Sequence, residues 1–343
     1  MRSMFGSYFM GPFAALILVA IVVALTTDRF VDPDNFRNIA LQVSIVALVA
    51  IGSTVVIFAG GIDLSPGSAI ALLTMVFAVA VKFIHVPFFL AILLILFLGA
   101  CLGAINGFLT AYARIPAFIT TLAALGAFRG VAFMFNNGSP VFSVSPLLDP
   151  MFYGRVVGIP VPLLYVIAFY ALAALLMRYA RVGREIYAVG GNQSAARLSG
   201  INVKRVQFIA FVIAGLMAGV GAFLMAARLN SGSPNYGVGI ELQAIAAAVI
   251  GGASLAGGRG NVLSTLIGAL TIVIVQNGLN LNAVPTSMQN VIIGLIIVIA
   301  VGIDMWRVEI SDAVQRVLSL GKSWGSRQAA FGNLKRSNRR DKA

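Results

Sequence analysis

Three ionisable residues lie within or against long apolar stretches of this 343-residue chain: Asp63, Arg129 and Glu241. A charge there is costly unless it has an internal partner or a wet path beside it. Asp63 stands in Gly60-Gly61-Ile62-Asp63-Leu64-Ser65-Pro66-Gly67. That order supports two compatible roles. Ser65 can cap a following helix, with Pro66 in its first position and Asp63 at its positive end. Asp63 can also face a polar solute. Arg129, in Phe128-Arg129-Gly130, is either an anchor to backbone carbonyls or a solute contact. Glu241 follows the polar stretch 230–239, and Arg228 is its expected partner, with a delivery protein as the alternative contact. Asn106 and Asn277 each precede a glycine late in an apolar run, where an amide needs a partner from another helix.

Recognition, not catalysis, is the chemistry these residues support. One Cys (Cys101) and one His (His85) cannot assemble a zinc site, a disulfide or a Ser/His or Cys/His pair. Gly252 to Arg259 echoes a phosphate-binding loop, but no Gly-Lys-Ser/Thr follows. No catalytic residue, metal ligand or cofactor is therefore expected in this chain.

The surroundings of these residues are membrane helices. The chain is 59% hydrophobic and 10% charged, with mean hydropathy +0.97, too few charges to cover a soluble core. Apolar runs of membrane-spanning length fall near 10–27, 39–59, 66–84, 88–112, 117–135, 159–179, 206–228, 241–256, 261–280 and 286–306, the eighth being the shortest. The first has a signal's apolar core without a small-x-small site and a following soluble domain, and reads as a retained helix. Ten spans with both termini cytoplasmic put 18 of 24 basic residues inside and five outside, with Arg129 in a span. The basic segment 307–343 reads as a disordered tail near anionic headgroups and not as a nucleic-acid binder.

Glycine punctuates the spans in two ways. Gly99, Gly103 and Gly107, like Gly215 and Gly219, make flat helix faces for close packing. Gly60-Gly61 and Gly251-Gly252 open two breaks that share the pattern GGxxLxxG, 191 residues apart. Breaks at matching places in two halves mark helices that line a solute path. The halves are 39–135 and 206–306, four spans each, and the loop between them makes them inverted repeats.

That loop, 180–205, is a polar island. It is read as a glycine hinge (Gly190, Gly191), a short helix from Asn192 to Leu198, and a closing Gly200. A capped helix held in water between two spans is a docking surface, which points to a transporter moved by a separate motor. A lone ion-coupled carrier is the alternative, for which Asp63 is the only coupling candidate.

Four segments resemble the permease subunits of ATP-binding-cassette importers for monosaccharides of the ribose, xylose and galactose type. They are GGIDLSPGS (60–68), IPAFITTLAALGAFRG (115–130), GREIYAVGGNQSAARLSGI (183–201) and GIELQAIAAAVIGGASLAGGRG (239–260). The resemblance spans about 36–306, departing at Pro66, where valine is more usual. It implies an all-α polytopic fold of the type II importer kind in the bacterial inner membrane. It implies a second permease copy or paralogue, a cytoplasmic ATPase that binds the ATP and Mg, and a periplasmic sugar-binding protein. Gly183, Gly190, Gly191, Asn192, Ala195, Ala196 and Gly200 would form the ATPase-coupling loop, with Gln193 or Ser194 where an acid is often found. Gly60, Gly61, Asp63, Ser65, Asn106, Arg129, Glu241, Gly251 and Gly252 would line the pathway or its gate. Branched-chain amino acid permeases are similar in kind and are the second reading on substrate.

Overall fold

The computed structural model describes residues 2–302, so the basic segment 307–343 lies outside the described residues. The chain divides between Ile297 and Val298, and of the second unit only 298–302 is described. Each of the ten apolar runs is helical: α1 (Arg2–Thr26), α2 (Pro33–Phe58), α3 (Pro66–Lys82), α4 (Phe88–Ala111), α5 (Ala117–Met134), α7 (Val161–Tyr179), α10 (Val203–Leu229), α11 (Ile240–Ile250), α12 (Val262–Leu281) and α13 (Thr286–Gly302). Three short helices complete the set: α6 (Leu148–Tyr153), α8 (Arg181–Gly191) and α9 (Gln193–Leu198). Two-residue strands pair antiparallel, β1 (Val141–Phe142) with β4 (Ser231–Gly232) and β2 (Arg155–Val156) with β3 (Ile159–Pro160). The protein is an all-α polytopic membrane protein.

Among the described residues, seven helices are long and apolar enough to cross a bilayer; α3, α11 and α13 are shorter. The eighth expected span, 241–256, is corrected to the 11-residue α11, which stops at the Gly251-Gly252 break. At about 1.5 Å per residue it covers roughly 16 Å, half of a hydrocarbon core about 30 Å thick. Residues 230–239 lead into it by running back along α3, Gly232 lying against Thr74 and Ala78 and Gly237 against Gly67.

Burial separates central from peripheral helices. In the apolar window of α2, 94% of residues are buried against 22% in α4, so α2 faces protein and α4 largely faces lipid. α2 and α10 pack on each other; α10 also packs on α3 and α4, and α2 on α11 and α12. The α4–α10 seam is where the two glycine stripes meet. A Cβ on Gly215 would overlap the Gly99 carbonyl and stand 2.6 Å from Gly103 N, and one on Gly103 would stand 3.0 Å from Gly215 Cα. Backbone lies directly on backbone, as small residues permit in lipid.

Polar side chains inside the bundle pair across helices, since lipid offers them no partner. Asn277 donates to Asn35 Oδ1 at 2.7 Å, and Asn35 returns a hydrogen bond to Asn277 Oδ1 at 3.0 Å. Thr54 and Thr265 hydroxyls meet at 3.0 Å, and Tyr170 donates to the Ala47 carbonyl at 3.0 Å.

Candidate functional site

The break between α2 and α3 is held by a buried polar chain. Asn106 Nδ2 donates to Ser65 Oγ at 2.9 Å. Asp63 Oδ1 accepts from Ser65 Oγ at 2.7 Å and from Ser65 N at 2.9 Å. Asp63, Ser65 and Asn106 are all buried. Pro66 is the first helical residue as expected, but Ser65 makes no capping bond to α3. Its hydroxyl is taken by Asp63, whose side chain closes a local turn onto the residue two positions on. Thr121 of α5 donates to the Ile62 carbonyl at 3.2 Å, so α5 also holds this break.

Arg129 Nη1 donates to the carbonyls of Pro234 (2.7 Å) and Tyr236 (2.6 Å), pinning the returning segment ahead of α11. Those carbonyls lie outside regular structure, and a charged donor satisfies both. The expected Glu241–Arg228 pair is not formed. Glu241 Oε1 accepts from Gly239 N at 3.2 Å, and its other oxygen lies against Gly67 at the start of α3. The chain turns at Gly239 (φ +81°) and aims Glu241 into the bundle, where Arg129 is its neighbouring charge. Arg228 instead contributes its carbonyl, which accepts from the Tyr153 hydroxyl at 2.8 Å. At the second break, Gly251 is a packing residue: its Cβ would stand 2.7 Å from both Ser264 O and Thr265 Cα. Gly252 adopts φ +85° in the turn that follows.

The loop between α7 and α10 forms two helices. α8 begins with an Arg181–Glu185 ion pair at 2.6 Å, and Gly183 lets it fold back on α7, a Cβ there standing 2.5 Å from Met177 Cα. The expected hinge at Gly190-Gly191 is corrected: both residues are helical, and the chain turns at Asn192 (φ −161°, ψ 103°). Asn192 Oδ1 accepts from Ala195 N at 2.9 Å and starts α9. Ala196 is buried, Ala195 is exposed, and Gly200 (φ +80°) ends the helix in a left-handed turn closed by Ile201 N to Ala196 O at 3.0 Å.

Gly190 is glycine for another reason. A Cβ there would overlap the Phe58 carbonyl, the end of α2, and stand 2.6 Å from Gly258 N in the second break. Gly258 N donates to that same Phe58 carbonyl at 3.0 Å, and a Cβ on Gly257 (φ +89°) would stand 3.0 Å from Gly60 Cα. The Tyr187 ring lies 4.9 Å from the Phe58 ring, and its hydroxyl donates to Gly260 O at 3.1 Å. Both breaks and the end of α8 therefore meet at one point, backbone against backbone.

A family model described as "Branched-chain amino acid transport system / permease component" matches residues 35–301. The chain belongs to this permease family. Similar curated proteins include the ribose import permease protein RbsC of Escherichia coli (strain K12), 42% identical over 295 residues that cover 85% of this chain and 91% of that protein. RbsC of Bacillus subtilis (strain 168) is 40% identical over 297 residues, 86% of this chain and 92% of its own. The xylose transport system permease protein XylH of Escherichia coli (strain K12) is 33% identical over 353 residues, 85% and 90%. No solved structure matches.

In this permease the structure gathers Gly60, Gly190, Gly257 and Gly258, while Asp63 and Ser65, just before α3, form a separate knot with Asn106 of α4. Phe58, Tyr187 and Gly257 are not among the sequence candidates, and Gly258 figures there only as the last glycine of the second break. Leu198 is 91% exposed in an otherwise polar island, an oddity visible in the sequence. Gly257 and Gly258 carry no such signal, because their contact is made by backbone. The polar knot gives a direct expectation. Asp63→Asn keeps an oxygen acceptor for Ser65 and should unfold within about 1 kcal/mol of the parent. Asp63→Ala orphans buried donors and should lose about 1–3 kcal/mol, both read by thermal unfolding in detergent.

Proposed function

We propose that this permease carries a monosaccharide across the bacterial inner membrane as one of two permease chains in an ATP-driven importer. The second chain is a copy of this one or a paralogue. A cytoplasmic ATPase binds the ATP and Mg and docks on the 180–205 loop, and a periplasmic sugar-binding protein delivers the substrate. The excess of Lys and Arg in the loops joined to α8 and α9 supports cytoplasmic termini. The reciprocal packing of α2 and α10 supports inverted four-helix halves, 39–135 and 206–306, within a 1–306 membrane domain. The observation that carries the reading is the junction at Gly190, where α8 touches both breaks at once. Motion of a motor bound to α9 would reach two interrupted helices on the solute path, which a lone carrier has no use for.

Sugar is favoured over a branched-chain amino acid because most of the relatives at 33–42% identity are named for ribose, allose or xylose. A buried knot of amide, hydroxyl and carboxylate suits a hydroxylated ring. The test is reconstitution in lipid with the neighbouring ATPase and binding protein. Hydrolysis stimulated by the pentose-loaded binding protein supports the reading; solute uptake driven by an ion gradient without ATP overturns it. Leu198→Asp puts a charge on the exposed apolar tip of α9, and should weaken ATPase association about tenfold or more while insertion stays normal. Undiminished co-purification of the ATPase with this variant would remove α9 from the docking surface.

A further inference from the structure

Below the first break lies a cavity of about 670 Å³, enclosed partly by the 180–205 loop, whose charged lining the transport reading does not use. Its walls are Gly60 and Gly61 above, the α4–α5 connection, α9, and the first turns of α10. Three cations line it, Arg114, Arg197 and Lys204, and no carboxylate does. None of the three has an acid within ion-pair distance among the described residues, where Arg181–Glu185 is the only ion pair. Three amides, Gln193, Asn202 and Gln207, add neutral donors. Thr110 is also in the wall, and its buried hydroxyl has no hydrogen-bond partner among the described residues. Pro116 and Ala117 place the positive end of α5 on the same space.

Arg114 is held there against local preference. Its φ is +60°, a left-handed conformation that a non-glycine residue seldom adopts. Lys204 stands 5.8 Å from the Tyr112 ring centre, which fixes its stem at the rim. Three cations, two kinds of neutral donor and a helix start, without one acid, make a concave site that repels cations and fits a tetrahedral oxyanion. The volume is that of a small-molecule site.

We propose that this cavity binds a phosphate group at the cytoplasmic face, carried either by a soluble phosphate ester or by an anionic lipid headgroup. Its placement on that face rests on the orientation given under Proposed function; the binding chemistry does not. A bound phosphate joins Arg197 on α9 to Arg114 on the α4–α5 connection and to Lys204 on α10. It therefore ties the proposed docking helix to the membrane helices through a side chain about 100° round α9 from Leu198.

The test uses the full chain in nanodiscs of phosphatidylcholine, titrated calorimetrically with inorganic phosphate and with glucose 6-phosphate. Saturable binding that Arg114→Gln and Lys204→Gln each weaken about tenfold supports the site. Arg205→Gln, with the same charge change one residue away and outside the cavity, should bind as the parent does. If affinity is unchanged in phosphatidylglycerol nanodiscs, the soluble ester is the source. If it is lost there, and mass spectrometry finds phosphatidylglycerol retained by the parent but not by Arg114→Gln, the headgroup is the source. Neither anion binding nor lipid retention, or equal loss in Arg205→Gln, overturns the proposal. Because every arm is a binding measurement on this chain alone, failure of the ATP-driven reading would show in the reconstitution and not here.

Discussion

Gly215→Leu should leave almost no folded permease in the membrane. The new side chain would start 2.7 Å from Gly103 Cα and overlap the Gly99 carbonyl, so both obstacles are backbone. A side chain in the way can change rotamer; a helix backbone can only move off. Overpacking a core ordinarily costs about 1–3 kcal/mol, and here relief requires parting α4 from α10 along their shared glycine seam. In lipid that loss is not offset by solvation of the parted surfaces, because association rests on close contact and not on exclusion of water. The folded fraction should fall about tenfold or more, each ~1.4 kcal/mol being a factor of ten. A monodisperse peak in fluorescence size-exclusion chromatography measures it. Gly11→Leu on α1, where a Cβ meets nothing within 4 Å, should match the parent. Equal yields for the two variants would mean that the glycine seam does not hold α4 and α10 together.

The second large effect is expected at two adjacent glycines with opposite outcomes. Gly190→Val drives a side chain into the Phe58 carbonyl and the Gly258 amide; Gly191→Ala meets nothing within 4 Å. The first substitution should lift α8 from both breaks. With about 3 kcal/mol of overpacking relieved only by separation, the docked arrangement becomes on the order of 100-fold rarer. Uptake should drop accordingly, while the transmembrane seams, remote from Gly190, keep the chain folded and inserted. Gly191→Ala should transport as the parent does and gain slightly in helix stability. Uptake assays normalised to inserted protein measure both. A Gly190→Val variant that transports normally would separate α8 from the breaks.

The order of helices was legible from the residues, because lipid makes spans long and apolar and water makes loops polar. Glycine faces were legible for a similar reason: Gly99, Gly103 and Gly107 recur with helical period. What stayed hidden was where backbone meets backbone. Gly60 and Gly257 stand 197 positions apart and touch through Cα atoms, which leaves no side-chain pattern to read. The resemblance between the two GGxxLxxG breaks suggested matched places in two repeats. The breaks follow α2 and α11, which are the first and second helices of the proposed halves, so the shared pattern alone does not pair them. Glu241 was matched to Arg228 by loop proximity, but the left-handed turn at Gly239 sends it inward. The hinge was set one residue early because glycine pairs suggest flexibility, whereas Gly190 is small to admit a neighbour and Asn192 makes the turn.

The clip from Arg129 to the carbonyls of Pro234 and Tyr236 bears on the order in which the chain can be assembled. A helix of 11 residues is too short to be released into lipid alone. Its approach segment, 230–239, takes backbone partners from β1, from Thr74 of α3 and from Arg129 of α5. The α5 and α3 residues that meet it, Arg129 and Thr74, are synthesised 105 and 159 residues ahead of their partners. The first half must already stand in the membrane, with the guanidinium in place, before α11 has anywhere to go. The early helices thus act as the template on which the later half is laid down, and a ribosome delivering the chain from its N-terminus supplies them in the required sequence.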